Sequence, residues 1–369
     1  MSAAEASTRV TAVVVTFNRR DLLVECLRAL ERQTHPLDRV VLVDNASTDG
    51  TEEHVVASGL AERLPVDVVR LRRNGGGAEG FHHGMREALA GDPHWIWLMD
   101  DDCEPADDAL ERLLASPKAE ERATGGLAGR VQLPSGQPLP LHRARVIRRW
   151  LRLPIQGLDE DERAREETPC DFASFAGPLF RAAVVRELGL PEREMFIRYD
   201  DLEYSARLRS RGYTLWHVGA SVLTHKEPGL VTGSTAGAAM SAWRTRIPFK
   251  DGWKTIYGLR NVIHAGRRHG FVSAPAAASY VAVFVARTNL FDERPLRSAL
   301  VHVALAVDGW RGRFRNVPPR RWAALATTRR PLRLLDRDAL RYDEDVAEPP
   351  RRLPAPDGVK QHQLRRRRV

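Results

Sequence analysis

The chain of 369 residues is poor in cysteine and contains no long apolar run. Its three cysteines, Cys26, Cys103 and Cys170, lie far apart, which excludes a disulfide framework and a zinc ribbon and favours a reducing compartment. No apolar run reaches the roughly 18 residues of a membrane span. The nearest candidate, Val272 to Ala286, is short and interrupted, so we expect a packed or interfacial helix there. Met1 to Arg9 lack the apolar region of a secretory signal, so none is expected.

Lysine is also scarce, since only five lysines occur in a chain of net charge +9. An excess of arginine is typical of proteins that bind phosphates, anionic membranes or nucleic acid, and equally of a compositional habit of the genome. The basic residues are dispersed except at Arg365 to Arg368, and no aromatic–basic RNA motif or zinc finger accompanies them. This pattern argues against a nucleic-acid partner.

The first hundred residues alternate between short β-branched runs and helical periodicity. The predicted strands are Val10 to Thr16, Arg39 to Val43, Val66 to Leu71 and Trp95 to Met99. Four such strand–helix units predict an α/β domain with a doubly wound, mostly parallel sheet. Ligands bind such sheets beyond the carboxyl ends of the strands, and the polar clusters of this sequence occur at those ends.

Two acidic clusters follow predicted strands. Asp100-Asp101-Asp102 places three carboxylates side by side, which favours a compensating cation, and hard oxygen ligands suit magnesium or manganese. A solvated acidic turn or a helix N-cap is the alternative. The loop from Asp44 to Gly50 is not a calcium loop, because Ala46 stands where an oxygen ligand is needed. Asp44 can face a ligand there while Asp49 serves a helix cap.

Three further features have both a structural and a functional interpretation. The glycine-rich segment Asn74 to Phe81 opens a helix and lets backbone approach a phosphate, but it matches neither a Rossmann fingerprint nor a P-loop. Asp200-Asp201-Leu202-Glu203 begins a helix, where acids suit the macrodipole, or Asp201 is a general base. His225, 24 residues after Asp201 in a loop, is either a structural histidine or a metal ligand.

The rest of the chain is less regular. We expect loops and irregular strands from Ser116 to Asp171, a helix from Asp200 to Arg211, and a strand from Thr214 to Val218 followed by a loop to His225. The predicted units are a flexible N-terminus (1–8), a catalytic α/β domain (9–235), a helical C-terminal appendage (240–342) and a disordered basic tail (343–369).

Taken in order, these clusters resemble the family-2 glycosyltransferases with a GT-A fold. The likeness lies in VVVTFNR (Val13 to Arg19), VDNASTDGT (Val43 to Thr51), the Asn74 glycine loop, LMDDDCEP (Leu98 to Pro105) and YDDLEYSARLRSRGY (Tyr199 to Tyr213). More narrowly, the chain is similar to bacterial galactofuranosyltransferases that act on lipid-linked acceptors, in the segments NGGGAEGFHHGM, WIWLMDDDCEP, FIRYDDLEY and WRTRIPFKDGWKTIYGLRN.

The resemblance implies roles for individual residues. Asp201 would be the catalytic base, and Asp102 and His225 would hold a divalent ion, Mn²⁺ or Mg²⁺. The residues implied to bind the nucleotide sugar are Thr16, Asn18, Arg19, Asp44, Asn74, Gly76, Asp100 and Asp101. The expected reaction inverts the anomeric carbon, with galactofuranose from UDP-galactofuranose as donor sugar and a lipid-linked or cell-envelope glycan as acceptor.

Several alternatives stay open at this level. Related rhamnosyltransferases, which use dTDP-rhamnose, share much of the framework, and an inactive nucleotide-binding scaffold would keep the same fold. A nucleotidyltransferase is disfavoured by the lack of a G-x-G-x-R signature. We expect a cytoplasmic protein. The arginine-flanked helices from Trp243 to Trp322 would either rest on the inner face of the cell membrane or form a solvated cap or dimer interface. A homo-oligomer is therefore also compatible with the sequence.

Overall fold

A computed structural model describes residues 8–150, 153–226, 252–291, 295–318, 321–322, 324–325, 328, 330–342 and 346–353. The strands are β1 (Val10–Thr16), β2 (Arg39–Asp44), β3 (Val66–Arg70), β4 (Trp95–Asp100), β5 (Cys103–Pro105), β6 (Thr124–Gln132), β7 (Arg143–Val146), β8 (Ile155–Gly157), β9 (Glu167–Cys170), β10 (Phe172–Ala173), β11 (Pro178–Arg181), β12 (Thr214–His225) and β13 (Arg351–Arg352). The helices are α1 (Arg20–Glu31), α2 (Thr51–Ala57), α3 (Leu60–Arg63), α4 (Gly77–Ala90), α5 (Ala109–Leu114), α6 (Glu160–Ala164), α7 (Ala182–Leu188), α8 (Asp200–Ser210), α9 (Trp253–Arg268), α10 (Ala274–Phe291), α11 (Pro295–Arg311) and α12 (Pro331–Arg337).

Ten strands form one sheet in the order β13-β3-β2-β1-β4-β11-β6-β12-β5, with β9 paired to β12. The predicted parallel order is confirmed for β3-β2-β1-β4. Beyond β4 the sheet is mixed, because β11 runs antiparallel to both β4 and β6 while β6 and β12 are parallel. The carboxyl ends of β1, β2 and β4 therefore meet at one edge, which is where most of the candidate site residues lie.

The core has two layers because the central strands are apolar on both faces. All seven residues of β1 are buried, with Val14 packed against one side of the sheet and Val13 against the other. Helix α1 covers the first side with its amphipathic face, including Leu23 and Leu27, and α4 covers the second with Phe81 and its neighbours. This double cover fixes the ends of β1 and β4 relative to each other.

Two expectations for the second half of the chain were wrong. The segment after Ser116 contains a regular nine-residue strand, β6, in the middle of the sheet, where its glycine-rich sequence (TGGLAGRVQ) gives little β-branched signal. His225 does not follow a loop, because β12 continues from Thr214 to His225. A register shift against β6 between Val218 and Val222 interrupts the hydrophobic alternation that sequence reading relies on.

The tail was also only partly as expected. Residues 346–353 are described, and Arg351–Arg352 pairs antiparallel with β3 at the edge of the sheet, so disorder from residue 343 onward is wrong for this stretch. The flexible N-terminus expected for 1–8, of which only residue 8 is described, the linker near 235–240 and the end of the tail after 353 lie outside the described residues.

The C-terminal appendage is helical, as predicted. Its helices α9, α10 and α11 pack on one another and on α8 through two apolar clusters, one around Val262 and Ile263 and one around Tyr257 and Trp322. Among the residues with described structure, none of the helices has the length and apolar character needed to cross a bilayer.

Candidate active site

The ends of β1 and β4 bring an acidic cluster against a threonine and an arginine. Thr16 Oγ1 donates to Asp101 Oδ2 at 2.8 Å, and the Phe17 N–H points at the same oxygen at 3.4 Å. Arg19 Nη1 lies 2.7 Å from Asp102 Oδ2 and 3.4 Å from Asp101 Oδ1. The sheet thus brings Thr16 and Arg19 to Asp101 and Asp102, which follow more than 80 positions later in the chain.

Asp102 and His225 meet because β12 pairs with β5, which begins one residue after Asp102. His225 Nε2 lies 2.9 Å from Asp102 Oδ1, and the backbone N–H of Lys226 donates to the Asp102 carbonyl at 2.9 Å. Both side chains are buried, and His225 Nδ1 has no hydrogen-bond partner among the described residues. Buried ligand atoms without hydrogen bonds are unusual in a satisfied interior. This donor set therefore fits a divalent cation.

Cys103 is the third potential ligand in this group, with its sulfur within 4.8 Å of the Asp102 and His225 ligand atoms. Burial, with the charges of Asp100 and Asp102, raises the pKa of the Cys103 thiol well above its ordinary value. Mg²⁺ and Mn²⁺ prefer hard oxygen ligands, so the Cys103 sulfur is a poor ligand for either ion. The Asp102 carboxylate supplies the hard oxygen ligand that Mg²⁺ and Mn²⁺ prefer, and His225 would be a second ligand.

Burial and mutual repulsion perturb the acids unequally. Burial, followed by the charge of Asp102, raises the pKa of Asp100 to about 8. Burial also raises the pKa of Asp101 to about 6, against the hydrogen bond from Thr16. Burial would raise the pKa of Asp102 too, but His225 and Arg19 outweigh it and hold that pKa below its usual value. Asp102 is therefore the carboxylate of the triplet that stays ionised most firmly, as a metal ligand must.

A second group of polar residues lies beside this cluster, at the ends of β1 and β2. The Asn18 N–H donates to Ser47 Oγ at 3.0 Å, and Asn18 Oδ1 accepts the Thr48 N–H at 2.7 Å. Asp44 is fully buried and accepts from the Ser47 N–H at 2.8 Å and from Arg70 Nη1 at 3.0 Å. Ser47 thus joins Asn18 to Asp44, and Ser47 and Arg70 hold the Asp44 carboxylate.

The glycine loop contacts this group through Asn45, a residue to which the sequence analysis gave no role. Asn45 Nδ2 donates to the Gly76 carbonyl at 2.8 Å, and Asn45 Oδ1 accepts the Gly75 N–H at 3.2 Å. Asn74 Oδ1 accepts the Gly76 N–H at 2.8 Å. Gly76 has φ +86° and ψ 172°, a backbone conformation reserved for glycine. The position of Asn45, directly after Asp44 at a strand end, was the signal that could have identified it.

Asp201 lies in the first turn of α8, next to Asp200, and its Oδ1 accepts the Leu202 N–H at 2.8 Å. Burial, followed by the charge of Asp200, raises the pKa of Asp201 well above its ordinary value, while Arg143 opposes the shift. The Asp200 charge also reaches Asp100, where it raises the pKa. The helix start is therefore electrostatically joined to the acidic triplet.

Two further residues of this region gave no signal in the sequence. His142, from an irregular segment, packs edge-on against the His225 ring with centroids 5.1 Å apart, and its Nδ1 lies 2.6 Å from Ser174 Oγ. Lys254 comes from α9. Burial and two arginines lower the pKa of its ammonium, while Asp100 and Asp102 raise it, so the lysine lies within the electrostatic field of the acidic triplet.

Comparison with known proteins agrees with this geometry. The sequence model of the family described as glycosyl transferase family 2 matches residues 11–189. Galactofuranosyltransferase GlfT1 of Mycolicibacterium smegmatis is 35% identical over 206 residues, which are 55% of this chain and 66% of that protein. Galactofuranosyltransferase GlfT1 of Mycobacterium tuberculosis is 36% identical over 205 residues, 55% of this chain and 65% of that protein. The matched region spans about two thirds of the length of these curated relatives.

A solved structure supports the fold. The crystal structure of GalNAc-T7 with UDP, GalNAc and Mn²⁺ superposes with a TM-score of 0.50 at 17% identity, covering 76% of this chain and 55% of that one. Together with the family match, this likeness confirms the predicted GT-A fold. At this identity it supports the architecture alone.

Proposed function

Because residues 11–189 belong to glycosyl transferase family 2, we propose that the chain transfers galactofuranose from UDP-galactofuranose to a hydroxyl group of a glycan. One observation carries the proposal: Asp102 and His225 form a buried pair at the edge of the sheet where β4 ends, and the charge of Asp200, next to Asp201, acts on Asp100 of the same triplet. The two GlfT1 relatives, named as galactofuranosyltransferases, support this choice of donor sugar.

On the donor side, we assign nucleotide binding to the carboxyl ends of β1 and β2 and to the glycine loop. Asn18 and Asp44 would orient the base and ribose, and Asn45 joins the glycine loop to this group. Asp102 and His225 would hold Mn²⁺ or Mg²⁺, whose charge offsets that of the leaving diphosphate. Arg19, which already contacts Asp102, supplies a further positive charge there.

On the acceptor side, we assign the general base to Asp201. Burial and the charge of Asp200 raise the pKa of Asp201, which makes its ionised carboxylate a stronger base toward a hydroxyl proton. The deprotonated hydroxyl would attack the anomeric carbon from the face opposite the diphosphate. One displacement without a covalent enzyme intermediate inverts that carbon.

We further propose a lipid-linked acceptor, met at the inner face of the cell membrane. Helix α11 exposes four large apolar side chains, spaced four, three and four residues apart, which therefore share one face: Leu296, Leu300, Val303 and Val307. The exposed Arg311 ends the helix. Such a face suits an interfacial helix on anionic lipid. Sedimentation with phosphatidylglycerol vesicles should carry down the wild-type protein and much less of Leu300→Ser/Val303→Ser, and equal sedimentation of both would refute the membrane contact.

The donor assignment is tested by offering UDP-galactofuranose and dTDP-rhamnose separately, with Mn²⁺ and a galactan oligosaccharide, and weighing the products by mass spectrometry. We expect a mass increase of one or a few hexoses from UDP-galactofuranose, and at least about a 100-fold loss in Asp201→Asn. Asp92→Asn is the matched control, since Asp92 pairs with Arg9 and Arg186 at the surface. A deoxyhexose product would favour the rhamnosyl alternative. Nucleotide binding without any product would favour an inactive scaffold.

A further inference from the structure

The segment directly before α8 has an unusual backbone. Phe196, Arg198 and Tyr199 have φ angles of +67°, +65° and +63°, in the left-handed region that residues other than glycine rarely adopt. The next two residues are Asp200 and Asp201. A strained conformation persists only where its surroundings hold it, and such conformations concentrate at functional sites. Whatever fixes this segment therefore fixes the direction of the proposed base.

Two buried side chains of α9 fix it. Asn261 Nδ2 donates to the carbonyl oxygens of Met195, Ile197 and Arg198 at 2.8, 3.0 and 2.8 Å. Arg260 Nη2 donates to the Met195 carbonyl at 3.0 Å. The carbonyl groups of the strained segment thus accept hydrogen bonds from the Asn261 amide and the Arg260 guanidinium.

These two side chains are themselves held in place. Arg260 Nε donates to Asn261 Oδ1 at 2.9 Å and Arg260 Nη1 to Asn316 Oδ1 at 2.6 Å, while Asn316 Nδ2 donates to the Glu194 carbonyl at 2.6 Å. Arg260, Asn261 and Asn316 are all 0% exposed. In these bonds Arg260 Nε, Nη1 and Nη2 all donate to neutral oxygens, an arrangement that costs free energy for a buried cation.

The same segment also contacts the donor side. The Phe196 carbonyl accepts the Ala78 N–H at 3.1 Å, at the start of α4. The space above Gly76 is filled by this carbonyl, since a Cβ on Gly76 would lie 2.0 Å from the Phe196 oxygen. The segment 195–199 therefore lies between the glycine loop and the helix that carries Asp201.

We propose that Arg260 and Asn261, with Asn316, are positioning residues of the active site, through which the C-terminal helices hold the segment 195–199 and aim Asp201 at the acceptor. Their importance for turnover rests on the proposed transferase function. The hold on the segment itself does not, and it can be measured without any substrate.

The test compares Asn261→Asp, which keeps the acceptor for Arg260 but loses the amide donors, with the same-shape, uncharged Asn261→Leu. Gln33→Ala is the matched control: Gln33 is a buried amide whose Nε2 donates to the Ala29 and Ala106 carbonyls at 3.0 and 2.8 Å, at the far end of α1. The readouts are hydrogen exchange of the amides of 195–201, the affinity for UDP with Mn²⁺, and kcat.

We expect both Asn261 variants to exchange the 195–201 amides at least about tenfold faster, with kcat lowered about 100-fold and UDP affinity changed less than twofold. Gln33→Ala should lower the melting temperature without either local effect. Unchanged exchange in both Asn261 variants, or a fall in kcat no larger than that of Gln33→Ala, overturns the proposal. If the wild-type protein transfers no sugar, only the transferase assignment fails. The exchange result still decides whether Asn261 holds the segment 195–199 in place.

Discussion

Replacing Gly76 by alanine tests how the glycine loop and the segment 195–199 are packed together. The backbone of Gly76, at φ +86° and ψ 172°, costs about 1–3 kcal/mol for a residue with a Cβ. The new methyl group would also lie 2.0 Å from the Phe196 oxygen and 2.6 Å from its carbonyl carbon, and overpacking of this kind costs about 1–3 kcal/mol more. We therefore expect Gly76→Ala to lower the free energy of unfolding by about 2–6 kcal/mol.

The neighbouring Gly77 provides the control. A Cβ there would meet nothing within 4 Å, and Gly77 is the first residue of α4. Gly77→Ala should be neutral or stabilise by up to about 1 kcal/mol, because alanine restricts the unfolded chain more than glycine does. Urea unfolding followed by circular dichroism measures both variants. If the two adjacent alanine variants unfold within about 0.5 kcal/mol of each other, the close contact between Gly76 and Phe196 is wrong.

Three further outcomes follow from the site and the sheet edge. Only ionised Asp201 can accept a proton, so kcat/KM should fall as the pH is lowered through the raised pKa of Asp201. The substitution Asp200→Asn removes a charge that raises this pKa. It should therefore move the acidic limb of the pH–rate profile to lower pH. His225→Ala should weaken Mn²⁺ binding at least about tenfold by electron paramagnetic resonance titration. Deleting residues 346–369 removes the buried side chains of Val346 and Leu353 and should destabilise the fold by up to about 6 kcal/mol in thermal unfolding. No change in melting temperature would contradict the docking of the tail on β3.

The donor half of the fold could be read from the sequence because local patterns there agree with the tertiary structure. The strands β1 to β4 are short apolar runs, largely buried, and each is followed by its polar cluster at the same sheet edge. The placement of Thr16, Asp101 and Asp102 in one cluster followed from parallel order alone. Clusters at strand ends are thus predictable when the strands are regular.

The second half was harder because its regularity is not local. Strand β6 is rich in glycine, and β12 passes through a register shift before it delivers His225. The hold of Asn261 on the segment 195–199 joins positions more than 60 residues apart. No periodicity within either segment encodes such a contact. The tail pairs with β3 although its composition resembles that of a disordered segment, because β3 would otherwise be an open edge.

The central claim is that this edge of the sheet is a metal-dependent glycosyl-transfer site. Its most direct test is transfer of galactofuranose from UDP-galactofuranose to a galactan oligosaccharide, measured after chelation and again after adding Mn²⁺, in wild type and in Asp102→Ala. We predict that chelation abolishes transfer by the wild-type protein, that Mn²⁺ restores it, and that Asp102→Ala stays inactive at the same Mn²⁺ concentration. Transfer that survives chelation, or that Asp102→Ala performs at the wild-type rate, would contradict the account.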